Sequence, residues 1–323
     1  MPAMMNVLIV RTSSMGDLIH TWPAITELKT HYPNIRLSWL TEESFADIAR
    51  LHPQVAEVLT LRWRSWRKRL LQPAAWRELK ALKRQLRDTH FDLVLDSQGL
   101  LKSAIPARWA AAPLAGLDWS SAREALASLF YDKKHSVSRR LSAIERNRRL
   151  FGLSFGYQPQ GEPSFGVAAG ERPSWMLSGR YAVLLHATSR ASKEWPEANW
   201  VELGERLSNQ HDMVMVLPWG NDAEKARAER LAGRMPAAVV APKMSLVEAA
   251  GLLGHASAVV GVDTGLAHLA NALNVPLAAI YTDTDPQQTG VVETPWATNL
   301  GNIGQCPQVD EVLRALRSRR GWT

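Results

Sequence analysis

The residues most able to do chemistry begin at Val259-Val260-Gly261-Val262-Asp263-Thr264-Gly265-Leu266-Ala267-His268, which reads as an apolar strand, a small-residue turn and the start of a helix. Amides in the first turn of a helix have no carbonyl partners and the helix dipole adds partial positive charge, so such a junction holds an anion, a diphosphate included, without metal. Gly265 lets a ligand approach the backbone closely. The same residues suit plain capping, with Asp263 and Thr264 closing the helix end and His268 an ordinary packed histidine one turn on.

A second cluster is His186-Ala187-Thr188-Ser189-Arg190-Ala191-Ser192-Lys193-Glu194-Trp195-Pro196. The hydroxyls of Thr188 and Ser189 suit phosphate oxygens, and Lys193 supplies a point charge for a departing diphosphate. Further on, Leu217-Pro218-Trp219-Gly220 closes a strand and Glu224 falls early on a charged helix. A carboxylate there can accept from ribose hydroxyls or simply complement the helix dipole.

Near the start of the chain, an apolar strand is followed by Thr12-Ser13-Ser14-Met15-Gly16-Asp17. One glycine and no following lysine exclude both the dinucleotide G-x-G-x-x-G and the P-loop, and with them a conventional dehydrogenase or kinase. Doubly wound sheets nevertheless bind ligands beyond the carboxyl ends of their strands, where this loop would place Asp17 towards a cleft between domains. A carboxylate stabilising a helix N-terminus is the competing reading. Leu61-Arg62-Trp63-Arg64-Ser65-Trp66-Arg67-Lys68-Arg69-Leu70-Leu71 concentrates cations around tryptophans and leucines. If helical, Trp63, Trp66 and Leu70 share an apolar face flanked by arginines, as in a segment meeting anionic lipid. Nucleic-acid stacking and ordinary core packing of the tryptophans remain open for it.

The elements that must position these residues follow from length and pattern. A chain of 323 residues favours two domains, and its 46% hydrophobic and 21% charged content is that of a globular protein. Short apolar strands at Val7–Val10, Leu37–Leu40, Leu93–Asp96, Tyr181–Leu185, Met213–Leu217, Ala258–Val262 and Leu277–Tyr281 alternate with helical segments, which predicts parallel sheets covered by helices on both faces. Between the halves, Phe155 to Arg180 is broken by glycine and proline and reads as a linker. The formal charge of +7 favours anionic partners. A single cysteine, Cys306, excludes an internal disulfide and a cysteine-based zinc site, and no apolar stretch resembles a signal peptide or membrane span, so a cytoplasmic protein is expected.

Taken in order, Leu8-Ile9-Val10-Arg11-Thr12-Ser13-Ser14-Met15-Gly16-Asp17, Asp96-Ser97-Gln98-Gly99-Leu100, Asp118-Trp119 with Ala122-Arg123-Glu124, Lys193-Glu194-Trp195-Pro196, Pro242-Lys243-Met244-Ser245-Leu246 and Asp263-Thr264-Gly265-Leu266-Ala267-His268 make a pattern. Over nearly the whole chain it resembles the bacterial ADP-heptose:lipopolysaccharide heptosyltransferases. The resemblance implies a glycosyltransferase B-type α/β fold, two Rossmann-like doubly wound domains facing a cleft. Residues 1–165 would bind acceptor, 166–306 would bind ADP-heptose, and a helix within 307–323 would pack back on the first domain.

By the same resemblance Asp17 is the general base of an inverting transfer of L-glycero-D-manno-heptose from ADP-heptose to a Kdo hydroxyl of Kdo2-lipid A, with Lys193 opposing charge on the leaving diphosphate. Thr188, Ser189, Lys193, Glu224, Met244, Asp263, Thr264, Gly265 and His268 would bind the donor; Ser14, Arg64, Arg67, Lys68 and Arg123 would bind the acceptor. Ser65 stands where the family pattern favours arginine, and Thr282 to Gln288 departs from a more glycine-rich loop. No cofactor, metal or nucleic acid is implied, although Asp283-Thr284-Asp285 has the form of a D-x-D motif; the protein is expected at the cytoplasmic face of the inner membrane, in peripheral contact with its anionic surface. A related transferase adding a later heptose would share the donor residues and differ at the acceptor. A non-catalytic anionic-lipid-binding protein would need the basic segment but neither Asp17 nor Lys193.

Overall fold

The computed structural model describes residues 4–69, 71–176, 179–188 and 190–322, in two compact units, Met1–Gly166 and Val167–Thr323. The first unit holds a six-stranded sheet of β1 (Asn6–Val10), β2 (Arg36–Glu42), β3 (Val55–Leu61), β4 (Leu93–Asp96), β5 (Leu114–Leu117) and β6 (Lys133–His135). Its order is β3-β2-β1-β4-β5-β6 and every pairing is parallel. The second unit repeats the plan with β7 (Tyr181–Leu185), β8 (Val214–Leu217), β9 (Ala238–Val240), β10 (Ala258–Val262), β11 (Leu277–Tyr281) and β12 (Ala297–Gly301), ordered β12-β11-β10-β7-β8-β9. Both orders are the Rossmann order, reversing direction between a unit's first and fourth strands. The expected doubly wound α/β architecture is therefore present in each unit.

Central strands form where apolar residues run continuously, because both sheet faces are covered by helices. Val7, Leu8, Ile9 and Val10 are wholly buried, as are Val259, Val260 and Val262. Register brings the functional loops together: Val10 lies opposite both Leu40 and Asp96, and Gly261 lies opposite Leu185. The segments leaving β1 and β4 thus emerge side by side, as do those leaving β7 and β10.

At Gly116 on β5 a Cβ would stand 2.5 Å from the Tyr131 ring. A bare backbone there lets the ring lie on the sheet and donate from its hydroxyl to Asp96 Oδ2 at 2.8 Å. The helix Ala143–Phe155, capped by Ser142 through the Glu145 amide, packs on Trp22–His31 within the first unit. The closing helix Val309–Arg317 buries Val309, Val312, Leu313 and Leu316 in the second unit's core, against Leu203, Leu207 and Ile280, which satisfies its one-sided apolar stripe. Among the described residues no helix is long and apolar enough to cross a membrane.

Candidate active site

In the first unit, the helix Met15–Ile19 begins just past β1 and carries Asp17 in its first turn. Both competing readings of this residue meet in one side chain. Asp17 Oδ2 accepts from the Ser14 amide at 3.0 Å and the Ser14 hydroxyl at 3.1 Å, which is capping geometry. Its Oδ1 accepts from Arg11 Nη2 at 2.9 Å, and Arg123 Nη1 lies 3.9 Å from Oδ2. Burial would raise this carboxyl, but the Arg11 guanidinium, the Ser14 amide, Arg123 and His20 together hold it down at about 2. A quarter of the side chain is still exposed, so the carboxylate is ionised, oriented and reachable.

The loop is held from β4. Asp96, fully buried, accepts from the amides of Gln98 at 2.8 Å and Gly99 at 3.3 Å and from the hydroxyls of Ser103 and Tyr131, both at 2.8 Å. Burial pushes its pKa up against these donors. Gln98 Oε1 in turn accepts from the Thr12 amide and hydroxyl, both at 2.7 Å, while its Nε2 donates to the Ser13 carbonyl at 3.2 Å. Arg11 donates from its other terminal nitrogen to the Ser97 carbonyl. Arg11 and Gln98 carry no motif of their own in the sequence; what marks them is position, each just past the end of a central strand where the sheet order reverses.

Beside this loop a pocket of about 340 Å³ is lined by Thr12, Ser13, Glu42, Trp63, Arg64, Arg67 and Lys102. Three cations face one carboxylate, and Glu42 is engaged by the Arg64 amide at 3.2 Å. Lys102 Nζ donates to Ser13 Oγ at 2.6 Å, and the Trp63 indole donates to the Lys102 carbonyl at 3.0 Å. The Trp63–Lys68 helix is shorter than the apolar spacing suggested. Leu70 lies outside the described residues; among the described residues the shared face comprises Trp63 and Trp66, edge to face at 5.9 Å. Trp66 is buried in the first unit's core with Trp63 packed against it, which is the ordinary-packing reading of the tryptophans. Arg62 and Arg69 pair with Glu43 and Glu78. Arg64, Arg67 and Lys68 make no salt bridge among the described residues; Lys68 does not line the pocket.

In the second unit, Lys193 Nζ sits 2.7 Å from Asp263 Oδ2, to which the Thr284 hydroxyl also donates at 2.9 Å. The Thr188 hydroxyl donates to the Asp263 carbonyl at 2.8 Å, joining the loops after β7 and β10. Thr264 stands at the N-cap position of the helix Gly265–Ala272 with no side-chain capping bond, and His268 is buried one turn into the helix. Ser189 lies outside the described residues. The Thr282–Gln288 loop joins this cluster: Ser192 Oγ donates to Asp283 Oδ2 at 2.6 Å and Thr282 Oγ1 to the Ser192 carbonyl at 3.0 Å. Asp285 caps the turn that follows it through the Gln287 amide. Thr284 is a further member of this cluster, with no signal in the sequence beyond its place between Asp283 and Asp285.

Glu224 and Met244 stand apart from that cluster, on the segments after β8 and β9. Glu224 takes its capping role, accepting from the Gly220 amide and Asn221 Nδ2, both at 2.7 Å. The Trp219 indole donates to the Ala241 carbonyl at 2.7 Å and fastens these two segments together. Met244 is half-buried. In strand order the candidate donor residues follow one another as Thr284 (β11), Asp263 to His268 (β10), Thr188 to Lys193 (β7), Glu224 (β8) and Met244 (β9). Neighbouring strands lie about 4.8 Å apart, so β10 to β9 covers about 14 Å, the reach of an extended nucleotide-sugar.

Comparison with known proteins gives the same direction. The profile of glycosyltransferase family 9 (heptosyltransferase) matches residues 79–315. Lipopolysaccharide heptosyltransferase 1 of Pseudomonas aeruginosa is 44% identical over 288 residues, 88% of this chain and 81% of the relative. Among solved structures, E. coli heptosyltransferase WaaC with ADP superposes with a TM-score of 0.91 at 39% identity, covering 97% of this chain and 99% of that one. The same enzyme with ADP-2-deoxy-2-fluoro heptose gives 0.88 at 40% identity over the same shares.

Proposed function

Because the chain belongs to glycosyltransferase family 9, the heptosyltransferases, and has the two Rossmann-like units of the glycosyltransferase B-type fold, we propose that it moves L-glycero-D-manno-heptose from ADP-heptose to a Kdo hydroxyl of Kdo2-lipid A, with inversion. The observation that carries the donor half is the row of polar groups across the carboxyl ends of β11, β10, β7, β8 and β9. In this reading the diphosphate meets Lys193, Thr188, Ser189 and the amides at Thr264 and Gly265. Asp263 lies nearest the sugar with His268 behind it, Glu224 serves the ribose and Met244 the adenine.

Asp17 is the base. A carboxylate held near a pKa of 2 is weakly basic in the resting enzyme, so it takes the proton late, once bonding to the anomeric carbon has made the hydroxyl acidic. As charge collects on the departing ADP, Lys193 and the Gly265–Ala272 helix N-terminus are already placed to oppose it, and no metal is invoked. Arg64, Arg67, Lys68 and Arg123, with Ser14, hold the anionic acceptor. The cationic pocket beside the Asp17 loop supports that assignment and the placement of the enzyme peripherally on the cytoplasmic face of the inner membrane.

Incubation with ADP-heptose and Kdo2-lipid A, followed by mass spectrometry of the lipid, tests the reaction. One added heptose is expected; transfer only to an acceptor that already bears a heptose would replace the reading with that of a later-acting transferase.

A further inference from the structure

The helix Pro73–Asp88 leaves one face unused by anything described so far. Ala75, Leu82 and Leu86 bury the inner side in the first unit's core. Outward, Trp76, Lys80, Lys83, Arg84 and Arg87 recur at intervals of three and four and so occupy one arc of the helix. The four cations are exposed and make no salt bridge among the described residues. Trp76 is half-exposed, and Leu71, just ahead of the helix, is fully exposed. The helix's own acids lie off this arc, Glu78 turned inward to the Trp66 indole at 2.9 Å.

We propose that this face is where the first unit docks on an anionic lipid bilayer, its cations at the headgroups and Leu71 and Trp76 at the acyl boundary. Charge distribution argues for such a partner: residues 1–166 carry 24 Lys and Arg against 15 Asp and Glu, residues 167–323 carry 14 against 16. An aliphatic side chain presented whole to solvent offers nothing to a nucleic-acid base, but a bilayer interface takes it up together with a tryptophan and a basic stripe. The Trp66 to Glu78 bond ties this helix to the one bearing Arg64 and Arg67, so docking would bring a lipid-anchored acceptor up to the pocket. In that purpose the inference rests on the acceptor reading above.

The test is co-sedimentation of the full chain with phosphatidylcholine vesicles, with and without phosphatidylglycerol. Wild type is expected to bind the anionic vesicles and hardly the neutral ones. Lys80→Glu/Lys83→Glu/Arg84→Glu/Arg87→Glu should lower that affinity by about 100-fold or more, since each near-surface cation contributes a factor of about five. The milder Lys83→Gln/Arg87→Gln should lower it by about 20-fold on the same basis, while turnover on a deacylated, soluble acceptor stays at the wild-type rate. Wild-type affinity in the folded variants, equal binding to both vesicle types, or displacement of bound vesicles by an oligonucleotide through the same four residues would overturn the proposal. Vesicle binding without heptose transfer to Kdo2-lipid A would sink the acceptor reading and leave the surface standing.

Discussion

Arg11 and Asp17 form an ion pair across the turn that leaves β1: Nη2 to Oδ1 is 2.9 Å, and the arginine side chain is only 7% exposed. The same guanidinium also holds the Ser97 carbonyl after β4, so one buried cation fixes the carboxylate to both strands at which the sheet order reverses. Charge and orientation are set by the same contact.

Asp17→Asn keeps the shape and the Ser14 contacts while removing proton acceptance. Turnover should fall by roughly 10²–10⁴-fold with ADP-heptose affinity nearly unchanged. Because the carboxyl sits at about 2, the wild-type pH profile should show no acid limb from this group between pH 5 and 8, a range about three units above it. Near-normal turnover in the folded variant would return Asp17 to capping alone.

Lys193→Ala should weaken both donor binding and turnover. It removes the cation proposed to face the diphosphate and leaves Asp263, 11% exposed, without its ion-pair partner. EDTA should change neither quantity. Activity lost to EDTA and restored by Mg²⁺ would instead make Asp283 and Asp285 metal ligands.

Arg64→Ala, Arg67→Ala and Lys68→Ala combined should raise the acceptor KM by about 100-fold at low salt, with ADP-heptose affinity little changed. Added salt should narrow the gap to wild type as screening weakens the native contacts. Two of the three cations line the pocket, so Arg64→Ala/Arg67→Ala should account for most of the effect. An unchanged KM and salt dependence in the triple variant would place acceptor recognition elsewhere.

Two wholly buried histidines predict the pH dependence of stability. Burial lowers both His52 and His186 to about 4. The Gln54 amide donates to His52 Nδ1 at 3.3 Å, leaving Nε2 to face Thr26 Oγ1 at 3.0 Å, an arrangement that suits the neutral ring. Between about 4 and 6.5 the unfolded chain binds the extra protons, so stability is full above about pH 6.5 and falls as pH drops through this window. Each histidine contributes about 3 kcal/mol to that loss over the whole window, about 2 kcal/mol of it by pH 5. Urea unfolding at pH 7 and pH 5 measures the latter part, and His186→Gln should flatten the slope by about half.

The central strands are legible in the amino-acid pattern alone. Val7–Val10, Leu93–Asp96, Tyr181–Leu185, Ala258–Val262 and Leu277–Tyr281 are buried on both faces, and double burial writes itself as an unbroken apolar run. The loops leaving them could be read too, since carboxyl ends of parallel strands collect small, hydroxyl and charged residues. Most of the strands the pattern did not reveal, β3, β6, β9 and β12, are the sheet edges, where one side has no partner strand and an apolar run is not required; Lys133-Lys134-His135 carries no strand signature at all. Tertiary structure alone decided that Arg11 is buried against Asp17, that Gln98 holds the Thr12 backbone, that Thr284 shares Asp263 with Lys193, and that the closing helix packs on its own sheet. These are contacts between residues 6 or more positions apart, 86 for Gln98 and Thr12, and they depend on register and sheet order, which local spacing does not encode.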